Sequence, residues 1–354
     1  MTKKQRLELL KTKRGKFQPG PKNCLTDVRG VRVGHLTLDQ DFQDESGRKI
    51  AIRTGLTAVI PCDMKEEIRL QAGFFDFRSH NEITGYEVED DFCYLNSPLI
   101  LSNSHNIGRA YNAILTYGFS IRRVEIWPPV VMGIDDSWLN DMDKSSIDEK
   151  QIVKLLHDSS GSQVEEGSLG IGLGLRAFGW KGGIGTCSRI FSWGEKEFTL
   201  GVLAASNHGN KPESQMKNPM EKPSAAQTQG SLILILATDI PLVPFQIRRI
   251  TSSLVVGLPP INTLKNCLDS VTCFLFSTAN AMSLKNDGPL VFDFSLVDDS
   301  ALEILIRAGA EATREAILRS LLLSSPVQGR LGRKANSIPD QEFQKILNQF
   351  QDTA

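Results

Sequence analysis

Ser231 follows Gly230 at the end of a polar, breaker-rich stretch and opens an unbroken apolar run, SLILILATD at 231–239. A hydroxyl in that place has two chemical readings. It caps the end of a buried strand, or it is an N-terminal nucleophile. In the second reading the hydroxyl attacks the Gly230 carbonyl, an ester forms by N-to-O shift, and water cleaves the chain at Gly230–Ser231. The freed α-amine, with an ordinary pKa of about 7.7–8, is then a usable base for the adjacent hydroxyl near neutral pH. One residue supplies nucleophile and base, and no histidine is needed. A glycine in front tolerates strained φ/ψ at little cost. The dipeptide alone decides nothing, since Gly161-Ser162 and Gly167-Ser168 share it and neither leads straight into a long apolar run.

Other chemistries find less support. The cysteines (24, 62, 93, 187, 267 and 273) show no CxxC pairing, and the histidines form neither HxH nor HExxH, so no metal site is expected. GLGLRA at 172–177 fits a loose GxGxxA, but no convincing strand precedes it, no clear helix follows, and GK[ST] is absent. The glycines there read as tight turns and close backbone approach, with N–H groups free to line an active-site wall. No organic cofactor is expected.

The elements that must position Ser231 come next. Apolar, β-branched runs bounded by Gly, Pro, Asn and Asp predict strands in VRVGHLTL, GLTAVIP (55–61), SPLILSN (97–103), VEIWPPVVMG (124–133), FTLGVLAAS (198–206), SLILILATD and VTCFLFSTA (271–279). Helical spacing appears in HNIGRAYNAILTYG, PFQIRRITSSLVVGL and SALEILIRAGAEATREAILRSLLLSS, the last with Ser300 and Glu303 as a capping box. The mixture predicts an α/β sandwich of layers. Residues 208–230, without a β-branched aliphatic residue, read as a flexible linker.

With 354 residues, 40% hydrophobic, 23% charged and a net charge of -1, the chain reads as a soluble globular protein. That balance argues against nucleic acid or a membrane surface as partner. KKQRLELLKTKRGK at the start reads as a solvated or frayed end. No apolar stretch makes a secretory signal or a span, and unpaired thiols predict a cytoplasmic protein.

The motifs LTDVRGVRVGHLTL, RTGLTAVIP, NEITG, SNSHNIG, WLND, KGGIGTCSR, GVLAASNHG, GSLILILATDIPL and FSTAN run nearly end to end. In them the chain resembles the DmpA-type family, the L-aminopeptidase/D-amino-acid esterase-amidases that include β-peptidyl aminopeptidases. The resemblance implies a four-layer αββα sandwich like that of N-terminal-nucleophile hydrolases, with its own connectivity. It implies one domain (1–354), self-cleaved into a larger chain (1–230) and a smaller one (231–354), and assembly into a homo-oligomer. It implies a small peptide or amino-acid amide or ester substrate with a free amine, and neither metal nor cofactor. It assigns Ser231 as nucleophile, Gly230–Ser231 as the cleaved bond and Asn207 as a donor in the oxyanion hole, a role worth roughly 2.7–4 kcal/mol of barrier.

The pattern also departs. Before WLND, where the family has a glutamate and, two residues on, a tyrosine, this chain has Gly133 and Asp135. The family's Ser-Gly-acid falls on Asp269-Ser270-Val271 if no gap intervenes, and Arg78 and His80 replace small residues. Asp135 or Asp136 is expected to take over the substrate's ammonium, with a solvated turn as the alternative for Asp136, and Asp269 to take over as support acid. Two functions stay open: a self-processing serine aminopeptidase, and a non-catalytic homologue that keeps the fold for binding or scaffolding.

Overall fold

The longest apolar runs need cover on both faces, and the fold provides it. The computed structural model describes residues 3–12, 15–78, 81–123, 126–144, 147–209, 230–257, 269–285 and 291–349. In chain order these form α1 (Lys3–Thr12), β1 (Arg32–Gln43), β2 (Lys49–Ile60), β3 (Ile68–Phe77), α2 (Tyr86–Phe92), β4 (Tyr94–Leu95), β5 (Leu99–Ser102), α3 (Ile107–Ser120), β6 (Val130–Gly133) and α4 (Glu149–Asp158). There follow β7 (Arg176–Ala177), β8 (Trp180–Lys181), β9 (Gly183–Trp193), β10 (Lys196–Asn207), β11 (Ser231–Thr238), α5 (Pro244–Val256), β12 (Ser270–Ser283), α6 (Ala301–Leu322), β13 (Val327–Gln328), β14 (Lys334–Ala335) and α7 (Asp340–Gln349).

Two sheets stack face to face. One has the order β1-β2-β5-β6, the other β4-β3-β12-β11-β10-β9. Between them, Leu99, Leu101, Val130 and Met132 of the smaller sheet meet Phe74, Leu203, Ile233, Ile235, Phe274 and Phe276 of the larger. Rings of Phe74 and Phe274 lie 4.3 Å apart, centroid to centroid. Beyond the larger sheet, Leu232, Leu234 and Leu236 pack on Ile247 and Ile250 of α5, Leu305 and Ala312 of α6, and Phe343 of α7. Beyond the smaller sheet, Leu56, Ala58 and Ile60 pack on Ile114 and Tyr117 of α3 and Ile152 of α4. The order helix, sheet, sheet, helix is the expected four-layer sandwich. Strands β11 and β12 run parallel, which requires a crossover, and α5 lies in it. Among the described residues no helix is long and apolar enough to cross a membrane.

Three local expectations are corrected. Residues 3–12 of the basic N-terminal stretch form α1 and are not frayed: Leu10 joins the outer core, and Arg6 reaches Asp340 and the Ile338 carbonyl. Helix α6 starts as expected, but no capping box forms. Ser300 has helical φ/ψ, its hydroxyl donates to Asp298, and Glu303 pairs with Arg307. Residues 124 and 125 of the expected strand VEIWPPVVMG lie outside the described residues, and pairing begins only at Val130, past the prolines at 128 and 129.

Helix α6 approaches β9 at glycine. A Cβ on Gly185 would stand 2.0 Å from the Ala316 carbonyl oxygen and 2.6 Å from the Ser320 nitrogen. Gly185→Ala therefore pushes the helix off the sheet and is expected to cost about 1–3 kcal/mol, the range for overpacking. Thermal melting checks this; an unchanged midpoint would contradict the close contact.

Candidate active site

The site begins with a strand register. Strand β11 lies between β10 and β12, and Ser231 stands level with Asn207 on one side and with Ser270 on the other. Side chains alternate along each strand, so the inward pointing of Ile233, Leu203, Phe274 and Phe74 sets the faces of their neighbours. Ser231, Asn207, Ser270, Thr272 and Asp76 thus share the inter-sheet face at one end of the larger sheet. Adjacent strands lie about 4.7–4.9 Å apart, so the three side chains at positions 207, 231 and 270 are direct neighbours. Ser231 is 4% exposed.

Asn207 ends β10 with its amide held at both atoms. Its Oδ1 accepts from the Arg176 N–H at 2.9 Å, and its Nδ2 donates to the Asp135 carbonyl at 2.6 Å. These partners fix which way the amide points, and one of its two N–H bonds is left over. Behind this contact, Asp136 is fully buried. Its carboxylate accepts from Thr54, Asn103 and Asn140, which ties the turn after β6 to β2 and to the end of β5. Buried, with three donors inside the protein, Asp136 is not a solvated turn residue, and Asp135 is the more exposed of the two candidates for the ammonium. Asp135 is half-buried, accepts from the Ser137 N–H at 2.8 Å, and lies beside Asn207 through its main chain.

Gly230 and Ser270 make the second contact set. The Gly230 carbonyl oxygen, on the bond expected to break, accepts from the Ser270 N–H at 2.9 Å. The Gly230 N–H donates to Asp269 Oδ1 at 3.0 Å, and the Gly209 N–H donates to Asp269 Oδ2 at 3.0 Å. Asp269 is buried and turned toward the acyl side of the Gly230–Ser231 bond. A Cβ at 230 would stand 2.2 Å from Asp269 Oδ1, so the close approach of that carboxylate favours glycine there. The expected linker, 208–230, lies outside the described residues from 210 to 229, as does His80.

The sequence reading missed Ser270 as a neighbour of Ser231. The register sets Ser270 beside Ser231, and Thr272, two residues on, shares its face. The Ser270 hydroxyl is buried and has no hydrogen-bond partner among the described residues. Thr272 donates to Asp76 on β3 at 2.7 Å and accepts from Asn81 at 3.0 Å. Asp76 and Asn81 in turn line a cavity of about 450 Å³, with Tyr86, Glu87, Tyr111 and Trp127 on its walls. Arg78 lies over the Phe77 ring. The amide at 207 is followed by His208, which burial pushes down to about 3, so its ring is neutral. Among the described residues no group of three His, Cys, Asp or Glu could hold a metal ion.

Burial raises Asp136 from 3.8 to about 6, against the pull of its hydrogen bonds from Thr54, Asn140 and Asn103. A raised acid favours the folded state while protonated: the contribution is complete below about pH 4 and is lost as pH rises through about 6. Relative to Asp136→Asn, which cannot titrate, the unfolding free energy of the native chain should fall by up to about 3 kcal/mol between pH 4 and 7. Denaturant titrations across that window test this, and parallel profiles would contradict it.

Known proteins are similar to this chain in sequence and fold. The β-peptidyl aminopeptidase of Sphingosinicella microcystinivorans is 27% identical over 94% of this chain and 89% of its own length. A protein of Pyrococcus horikoshii OT3, PH0078, superposes with a TM-score of 0.84 at 30% identity, over 97% of this chain and 99% of that one. The L-aminopeptidase D-Ala-esterase/amidase of Ochrobactrum anthropi, a prototype of the serine aminopeptidases and a new variant among the Ntn hydrolase fold, superposes with 0.81 at 28% identity, covering 96% and 97%. The model of peptidase family S58 matches residues 23–335. That match covers most of the sequence, and the chain belongs to peptidase family S58.

Proposed function

We propose that this peptidase is a self-processing serine aminopeptidase acting on small peptides, amino-acid amides or esters with a free amine. The observation that carries the reading is the placement of Ser231: buried, first in its strand, level with Asn207 and Ser270, with the preceding carbonyl oxygen bonded to the Ser270 N–H. The names of the relatives, aminopeptidases both, support the reaction class.

Self-cleavage runs in two steps. The Ser231 oxygen adds to the Gly230 carbon, the C–N bond breaks, and the hydroxyl proton ends on the Ser231 nitrogen. Water then adds to the ester carbon. The C–O bond breaks, the hydroxyl proton returns to Ser231, and residue 230 leaves as a carboxylate while the new amine takes the remaining proton. In turnover the deprotonated amine takes the Ser231 proton as the oxygen attacks the substrate carbonyl. The free N–H of Asn207 faces the developing oxyanion, and the unpaired Ser270 hydroxyl stands beside the proton path. Asp135, beside Asn207, holds the substrate's ammonium. A non-catalytic homologue is the second reading, favoured by Gly133, Asp135 and Val271 standing where the family has other residues.

Denaturing mass spectrometry of the purified protein is expected to show two chains of about 25 and 14 kDa, their shares by length of 39.1 kDa. Ser231→Ala should remain at 39.1 kDa; a chain intact with or without the substitution would remove the self-processing reading. Cleaved enzyme should release p-nitroaniline from amino-acid p-nitroanilides, and cleavage without turnover would favour the non-catalytic reading. Asp135→Asn, still cleaved, should raise KM about 10- to 100-fold, the worth of a hydrogen bond to a charged group, with kcat little changed. An unchanged KM would place the ammonium elsewhere.

A further inference from the structure

The start of β12 holds the scissile residue from two directions at once. The Asp269 carboxylate accepts one N–H from each end of the stretch that precedes the nucleophile, Gly209 at 3.0 Å and Gly230 at 3.0 Å. The next residue, Ser270, donates its N–H to the Gly230 carbonyl oxygen at 2.9 Å. Asp269 is 2% exposed, so its carboxylate meets these donors in a water-poor space where a hydrogen bond to a charged group counts for more. Gly230 is pressed so close to Asp269 that a single added carbon at 230 would lie inside the carboxylate's contact distance.

We propose that Asp269 and the Ser270 N–H form a cradle for self-cleavage, with Asp269 as the positioning residue and the Ser270 N–H as the donor that receives the charge developing on the Gly230 oxygen. The proposal rests on Ser231 as the nucleophile and gives the self-cleavage step its own donor, separate from Asn207. As the Ser231 oxygen adds to the Gly230 carbon, the carbonyl π pair moves onto an oxygen already hydrogen-bonded to Ser270. A fixed donor on such an oxygen accounts for about 10²–10³ in rate. The carboxylate fixes the peptide plane on the other side of the Gly230 α-carbon, so that the carbonyl stays on that donor. Asp269 thereby acts in making the enzyme, and not as an acid for the substrate.

The test follows the full chain made by cell-free synthesis, with the conversion of the 39.1 kDa species into two fragments timed on denaturing gels. The native chain should cleave and Ser231→Ala should not; a native chain that stays whole sinks the nucleophile reading itself, separately from the cradle. Asp269→Ala and the isosteric Asp269→Asn, each shown to fold by its melting transition, should cleave at least about tenfold more slowly, since an amide has one acceptor oxygen for two N–H donors. Added formate should restore part of the rate to Asp269→Ala, which a purely structural role would not allow. Gly230→Ala should slow cleavage in the native background and cost much less in Asp269→Ala, because the 2.2 Å contact is gone and only the His208 α-carbon, at 3.0 Å, stays close. Native cleavage rates in Asp269→Asn or in Gly230→Ala would overturn the proposal. So would slowed variants that ignore formate and whose penalties multiply independently.

Discussion

Everything at the site depends on the register in which β11 lies between an antiparallel and a parallel neighbour. A slip of one residue would turn Ser231 to the outer face, toward the helices, and bring Leu232 inward. The alternation of Leu232, Leu234 and Leu236 outward with Ile233 and Ile235 inward holds that register, with apolar layers on both sides. Ordinary core packing therefore aligns the hydroxyl, the amide and the second hydroxyl, and the site inherits its geometry from the sandwich.

The polar groups around Ser231 are held mostly by backbone. Asp269 takes two N–H groups, and Asn207 takes one N–H and one carbonyl. Lys181 is fully buried, and burial drives its pKa well down, while its Nζ lies on the carbonyls of Gly172, Leu175 and Gly182. Those contacts bind the glycine-rich segment to the β7–β8 hairpin, which presents the Arg176 N–H to Asn207. The segment is a 3₁₀ turn followed by short strands, so the loose GxGxxA has neither the strand before it nor the helix after it that a phosphate site needs. Its glycines serve close packing, and one of its N–H groups does line the site.

Much of the fold was legible because apolar runs are local signals. Strands β2, β5, β10, β11 and β12 and helices α3, α5 and α6 all coincide with runs read from the sequence. Strand β3, IRLQAGFFDF, and strand β9, GIGTCSRIFSW, were not read, since glycine and polar residues interrupt them. Those residues face helices or neighbouring strands that only the fold supplies. At the site, Ser231, Gly230 and Asn207 come together, as the motifs implied. Ser270 could be placed beside Ser231 only through strand register, because pairing between distant strands leaves no trace in composition. The buried Asp136 and the clamping Asp269 look alike as letters, and partners far along the chain separate them: Thr54 and Asn103 for one, Gly209 and Gly230 for the other.

The central claim is that the bond between Gly230 and Ser231 is broken by the serine that follows it. N-terminal sequencing of the purified protein tests it most directly. Self-cleavage there gives, beside the first N-terminus, a second sequence reading Ser-Leu-Ile-Leu-Ile, absent from Ser231→Ala. A second N-terminus at any other residue, or none, would contradict it.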